Sequence, residues 1–139
     1  MKKNRITTTN KAAHTFKTDL LVYTAIQVKS KPPLCPAIVK PQVKNAFELK
    51  DFSAKAGEQI LFYPPARSKI AAKRVLVLGL GPVNKEKNGG VALDMLREAG
   101  GHIAKACAKI KAKEAVISLD GAKNLAPVIP DAAAAAQLL

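Results

Sequence analysis

At 139 residues, 48% hydrophobic and 24% charged, the chain has ordinary globular composition and length for one domain with its own core. No apolar run approaches the roughly 18 residues of a membrane helix, and the basic residues 1–5 lead into Thr7, Thr8, Thr9 and Asn10 rather than an apolar signal segment. The formal net charge is +13, divided as +9 over residues 1–70 and +4 over residues 71–139, so no basic tail carries it.

These features predict a soluble, cytoplasmic protein with no membrane partner. The charge suits a nucleic-acid or acidic partner, and it equally suits plain solubility. Aromatic residues are only 4%, with no Trp, which argues against stacking platforms for single strands. Cys35 and Cys107 read as free thiols. With His14 and His102 they show no metal-ligand spacing, and each histidine reads as a surface or loop residue.

Taken in order, residues 5–9 fit a short first strand, and residues 11–17 a turn. Residues 19–26 are nearly continuous apolar and β-branched, the pattern of a central strand. Residues 29–40 form a Pro-rich connection, where Pro32, Pro33 and Pro36 rule out a helix. A short helix is predicted over 42–49, with Val43, Ala46 and Phe47 on one face and Pro41 near its first turn. Lys55, Ala56 and Gly57 make a turn into a strand at 58–63, stopped by Pro64 and Pro65.

Residues 73–120 organise the rest. A strand at 74–78 runs into Gly79-Leu80-Gly81-Pro82. A helix is predicted over about 91–111, and a second strand over 115–119. Strand, helix and strand at this spacing predict a βαβ unit with parallel strands and a right-handed crossover. Leu93, Leu96, Gly100, Ile103, Cys107 and Ile110 share one helix face, with Lys105, Lys109 and Lys113 opposite. Two mid-helix glycines cost roughly 1 kcal/mol each relative to alanine, so Gly100 and Gly101 are expected to serve close packing. Residues 121–130 read as loop. From Asp131 an Ala-rich helix begins, and the chain stops inside it, so more protein is expected to follow.

The Gly79–Gly81 pair invites a phosphate cradle, but the third glycine of that fingerprint would fall at Asn84, and residues 85–90 delay the helix. The glycines read instead as turn residues that take the chain off the sheet edge. A mixed sheet with a Gly-rich loop also resembles macro domains that bind ADP-ribose, a likeness of fold alone. No carboxylate pair or nucleophile motif marks a catalytic site. Asp94 and Glu98 are an ordinary helix pair, and Asp120 at a strand end suits a turn. No catalytic and no metal residue is assigned. Lys105, Lys109, Lys111 and Lys113 form the densest basic cluster: a solvated face, or a set of contacts to DNA phosphates.

Four segments, in order, carry a family resemblance. Lys50-Asp51-Phe52-Ser53-Ala54-Lys55-Ala56-Gly57-Glu58 is similar to the segment before the second core strand of leucyl (cytosol) aminopeptidases. Lys73-Arg74-Val75-Leu76-Val77-Leu78-Gly79-Leu80-Gly81 resembles that family's next strand. Leu96-Arg97-Glu98-Ala99-Gly100-Gly101 and Asp131-Ala132-Ala133 continue the match. The resemblance implies that residues 1–139 are a single non-catalytic N-terminal domain. Its fold would be α/β: a three-layer, macro-domain-like mixed sheet with flanking helices and a central βαβ unit. It implies a C-terminal peptidase domain outside this chain, holding two divalent metals (Zn or Mn) and the signature Asn-Thr-Asp-Ala-Glu-Gly-Arg-Leu, which does not occur here. No cofactor is expected in residues 1–139. The implied partners are that peptidase domain and a homo-hexamer, with DNA for some bacterial members. The 29–41 segment departs from the family pattern.

Overall fold

The computed structural model describes residues 12–82 and 89–118, with 89–96 described by backbone alone. The predicted strand at 5–9, the loop and helix after 119, and Asp120 lie outside the described residues.

Among the described residues five strands form one mixed sheet, accompanied by two α-helices. Its centre is β1 (Leu20–Val28), whose residues 20–26 are all buried, as the nearly continuous apolar and β-branched run requires. On one side β1 pairs in parallel with β4 (Val75–Pro82), Leu21 opposite Val75 through Ala25 opposite Gly79. β3 (Gln59–Phe62) adds to β4 antiparallel, Phe62 opposite Val75 and Gln59 opposite Leu78. The other side of β1 is shared. Its first residues pair in parallel with β5 (Ala115–Ile117), and its last pair antiparallel with β2 (Lys31–Leu34). The unit β4–α2–β5, with α2 spanning Gly89–Ile110, therefore straddles β1, which lies between its two parallel strands.

The Pro-rich connection holds a strand that the composition hides. β2 contains Pro32 and Pro33, and its register partners to β1 are the two non-proline residues, Lys31 and Leu34. A proline has no N–H to donate, which a strand tolerates at a sheet edge. A short 3-10 turn, Ala37–Val39, then leads into α1 (Lys40–Glu48), which starts two residues ahead of the predicted 42 with Pro41 in its first turn.

Alternation along the strands divides the core into two clusters. Leu20, Val22, Ile26, Leu76, Leu78 and Leu80 pack with Ala99 and Ile103 of α2, and Ala106, Cys107 and Ile110 lie against them. Leu21, Tyr23, Ala25, Val75 and Val77 pack with Val39, Val43 of α1, Phe52, Ala54 and Ala72. The helical stripe read from the sequence is thus the face that meets the sheet from Ala99 onward. Both helices end alike. Lys50 (φ 64°) and Lys111 (φ 57°) occupy the left-handed position just past each helix. Their amides donate to Phe47 and Ala108, and the following amides of Asp51 and Ala112 donate to Ala46 and Cys107. This is a Schellman closure with lysine where glycine is commoner, and the ammonium suits the negative end of the helix dipole.

The glycines play different parts from those expected. Gly100 is buried, in keeping with close packing, but Gly101 is exposed, and a Cβ there meets nothing within 4 Å. Gly79 and Gly81 lie inside β4 and do not turn the chain off the sheet. A Cβ at Gly79 would lie 2.4 Å from the Lys55 carbonyl oxygen and 2.8 Å from Ala54 Cα. The 53–58 segment crosses β4 at that point, so only glycine fits.

Candidate functional site

Two carboxylates organise the described structure, and both hold backbone. Asp19 sits where β1, β4 and β5 begin. Its Oδ2 accepts the Lys113 amide at 2.9 Å, and its Oδ1 lies 3.3 Å from Lys73 Nζ. Its carbonyl faces the Arg74 guanidinium at 3.4 Å. Next to it Thr18 donates its hydroxyl to the Glu114 carbonyl, and the Lys73 amide donates to the Thr18 carbonyl. The Lys113 amide, followed by the hydrogen-bonded Lys73 ammonium, holds the Asp19 carboxyl below the usual carboxylate range.

Glu58 closes the loop after α1. Its Oε1 accepts the amides of Ser53 (3.1 Å) and Lys55 (2.9 Å) and the Ser53 hydroxyl (3.2 Å). Desolvation pushes the Glu58 carboxyl up, but the three hydrogen bonds and the Lys55 charge outweigh it, and the net shift is downward. The loop so formed places Ala54 at φ 65° with its side chain fully buried. It then bonds to β4: Gly81 N–H to the Ala54 carbonyl (2.9 Å), Gly57 N–H to the Gly79 carbonyl (3.0 Å), and Gly79 N–H to the Glu58 carbonyl (2.7 Å). The Gly79 and Gly81 amides, which a phosphate cradle would offer, are engaged by the chain itself. His102 of α2 completes the contact, and a Cβ at Gly57 would lie 3.0 Å from its Nε2.

Because both carboxyls sit below their ordinary pKa when folded, the unfolded chain takes up protons first as pH falls. Their contribution is present above the ordinary carboxylate range and is lost as pH drops through the depressed folded values. Thermal melting is therefore expected to be flat from about pH 7 to pH 5 and to fall below about pH 4. The double variant Asp19→Asn, Glu58→Gln should melt lower at neutral pH and show a shallower acid decline. An unchanged acid slope in that variant would show that these two groups do not govern it.

The remaining groups have no catalytic setting. Cys35 and Cys107 are both free and half-buried, and burial pushes both thiols up, away from a reactive thiolate. A hollow of about 230 Å³ beside α1 is lined by Pro32, Pro33, Cys35, Val43, Lys40 and Lys44, an apolar wall with two cations and no acid. Among the described residues no group of three His, Cys, Asp or Glu stands ready for a metal ion. Asp19 and Glu58 face backbone amides, so the described donor set does not fit a metal centre. No helix of the described residues is long and apolar enough to cross a membrane.

Lys105, Lys109, Lys111 and Lys113 are all exposed. The structure divides them. Lys105 and Lys109 stand on α2, whereas Lys111 and Lys113 lie past its end, where the Lys113 amide is tied to Asp19. Sequence reasoning missed Asp19 and Glu58 as anchors. The signal for Asp19 was its place immediately before the central strand. Glu58 left none, because the left-handed Ala54 that shapes its loop has no compositional mark.

Comparison with known proteins bears on this fold. The model of the cytosol aminopeptidase family, N-terminal domain, matches residues 22–139. A protein named "Probable cytosol aminopeptidase" from Desulforapulum autotrophicum is 38% identical over 116 residues, covering 81% of this chain and 22% of that protein. Another of the same name from Desulfotalea psychrophila is 41% identical over 69 residues, 48% of this chain and 13% of that protein. The chain thus spans about a fifth of the length of the first of these relatives. It belongs to the cytosol aminopeptidase family, as that family's N-terminal domain.

Proposed function

We propose that this chain is the non-catalytic, accessory domain of a metal-dependent aminopeptidase that removes N-terminal residues from peptides, and that it contributes to assembly or regulation of the enzyme. The observation that carries this is the match of the family's N-terminal domain to residues 22–139, set against a relative of which the matched segment is only 22%. The engagement of Asp19 and of Glu58 Oε1 with backbone amides supports it, since both carboxylates serve the fold. On this reading the two divalent metals, Zn or Mn, belong to the peptidase domain, the whole enzyme is a cytoplasmic homo-hexamer, and the fold is a three-layer, macro-like one. The two core clusters on alternate strand residues support such layering. Reading the coding frame beyond Leu139 tests the proposal. A two-metal peptidase segment in frame is the expected result, and an immediate stop codon would overturn it.

A second reading, DNA binding, is favoured by the exposure of Lys105, Lys109, Lys111 and Lys113. It requires a mobility shift on duplex DNA that weakens steeply with salt and with Lys105→Glu, Lys109→Glu. Absence of a shift at low salt would remove it.

A further inference from the structure

Cations far apart in sequence meet at one end of the sheet. Lys17 precedes β1, Lys73 and Arg74 precede β4, and Lys111 and Lys113 precede β5. The three strands run parallel, so these residues share the end where the strands start. Hydrogen bonds tie the segments together there: the Lys73 amide to the Thr18 carbonyl, the Thr18 hydroxyl to the Glu114 carbonyl, and the Lys113 amide to Asp19. Lys17, Lys73, Lys111 and Lys113 are exposed, and Arg74 is half-buried. Against these five cations stand, among the described residues, two acids, Asp19 and Glu114. Asp19 is engaged by Lys73, and the other lysine ammoniums have no ion pair recorded with any described acid.

We propose that this end of the sheet is a docking surface for an acidic polypeptide segment, one carrying several spaced carboxylates. The Asp19 carboxylate shows how the surface receives such a group, with a lysine ammonium on one oxygen and a backbone N–H on the other. Carboxylates are favoured over a nucleic-acid backbone for two reasons. The one arginine of the patch is half-buried with one guanidinium nitrogen on the Asp19 carbonyl, so the exposed cations are lysines, which lack the planar fork that grips phosphate bidentately. Asp19 and Glu114 also lie within the patch, where a continuous row of phosphates meets repulsion that a peptide with spaced charges avoids. The assignment does not rest on the accessory-domain reading. It follows from the parallel register and would stand whether or not a peptidase segment follows.

The test is fluorescence anisotropy of a labelled peptide of about ten residues in which glutamate alternates with glycine, titrated with the whole 139-residue chain at low and at physiological salt. Binding is expected at low salt and should weaken at physiological salt. The variant Lys73→Gln, Lys113→Gln should lose about tenfold in affinity, and Lys105→Gln, Lys109→Gln, which removes equal charge elsewhere, less than about threefold. Lys73 also steadies Asp19, so the pair Lys17→Gln, Lys111→Gln repeats the loss without touching that contact. Circular dichroism melting confirms that each variant is folded. No binding at low salt, or equal losses in all three variants, would overturn the proposal. Displacement of the peptide by duplex DNA at lower charge-equivalent concentration would overturn it in favour of nucleic acid.

Discussion

Gly79→Ala is expected to destabilise the domain by about 3 kcal/mol, the upper end of the usual range for forced overpacking. The added Cβ meets backbone rather than the end of a flexible side chain: Lys55 O at 2.4 Å, Ala54 C at 2.6 Å and Ala54 Cα at 2.8 Å. Relief requires the 53–58 segment to lift from β4. That movement breaks the bonds from Gly79 N–H to Glu58, from Gly57 N–H to Gly79, and from Gly81 N–H to Ala54, and it leaves buried amides unpaired. A domain of this size has only about 5–15 kcal/mol of stability in total, so denaturant unfolding should show a large drop in midpoint. Gly101→Ala is the control. Its Cβ meets nothing within 4 Å, and alanine is favoured over glycine in a helix by about 1 kcal/mol, so this variant should be stabilised. Equal effects of the two substitutions would refute the close-approach account.

Phe52→Ala should cost about 3–5 kcal/mol, the usual range for emptying a buried aromatic site. Phe52 is 2% exposed and packs in the cluster of Tyr23, Val39, Val43, Val75 and Val77. The site has little freedom to collapse around the loss. On one side the chain is fixed by the closure of α1 through Asp51 N–H to the Ala46 carbonyl, and on the other by Ser53 bound to Glu58. A chemical denaturation series that returns less than about 1 kcal/mol would show that this loop is looser than its hydrogen bonds imply.

How far the sequence reveals this molecule depends on whether a feature is local. β1 was legible because residues 20–26 are nearly continuous apolar and β-branched, as a strand buried on both faces must be. The α2 stripe was legible from Ile103, Cys107 and Ile110 because helical spacing puts them on one face. β2 was not, because Pro32 and Pro33 exclude a helix and equally mask an edge strand, which needs fewer donors. Gly79 misled for a different reason. Beside Gly81 it looks like phosphate chemistry, yet the reason only glycine fits lies some 25 residues earlier, in backbone that crosses it. Asp19 belongs to the same class, because its partner Lys113 is set by tertiary register. Glu58 differs: its partners Ser53 and Lys55 are local, but the left-handed Ala54 that shapes their loop has no compositional mark. Of the lysine cluster, composition revealed the four positions, but only the parallel pairing of β1, β4 and β5 reveals that Lys111 and Lys113 keep company with Lys73.

The central proposal is that residues 1–139 carry no peptidase chemistry of their own. It is tested most directly by incubating the purified 139-residue chain with a leucyl amide and either Zn or Mn, and following release of leucine. The account predicts no hydrolysis above the metal-only blank. Turnover proportional to the amount of this chain would contradict it.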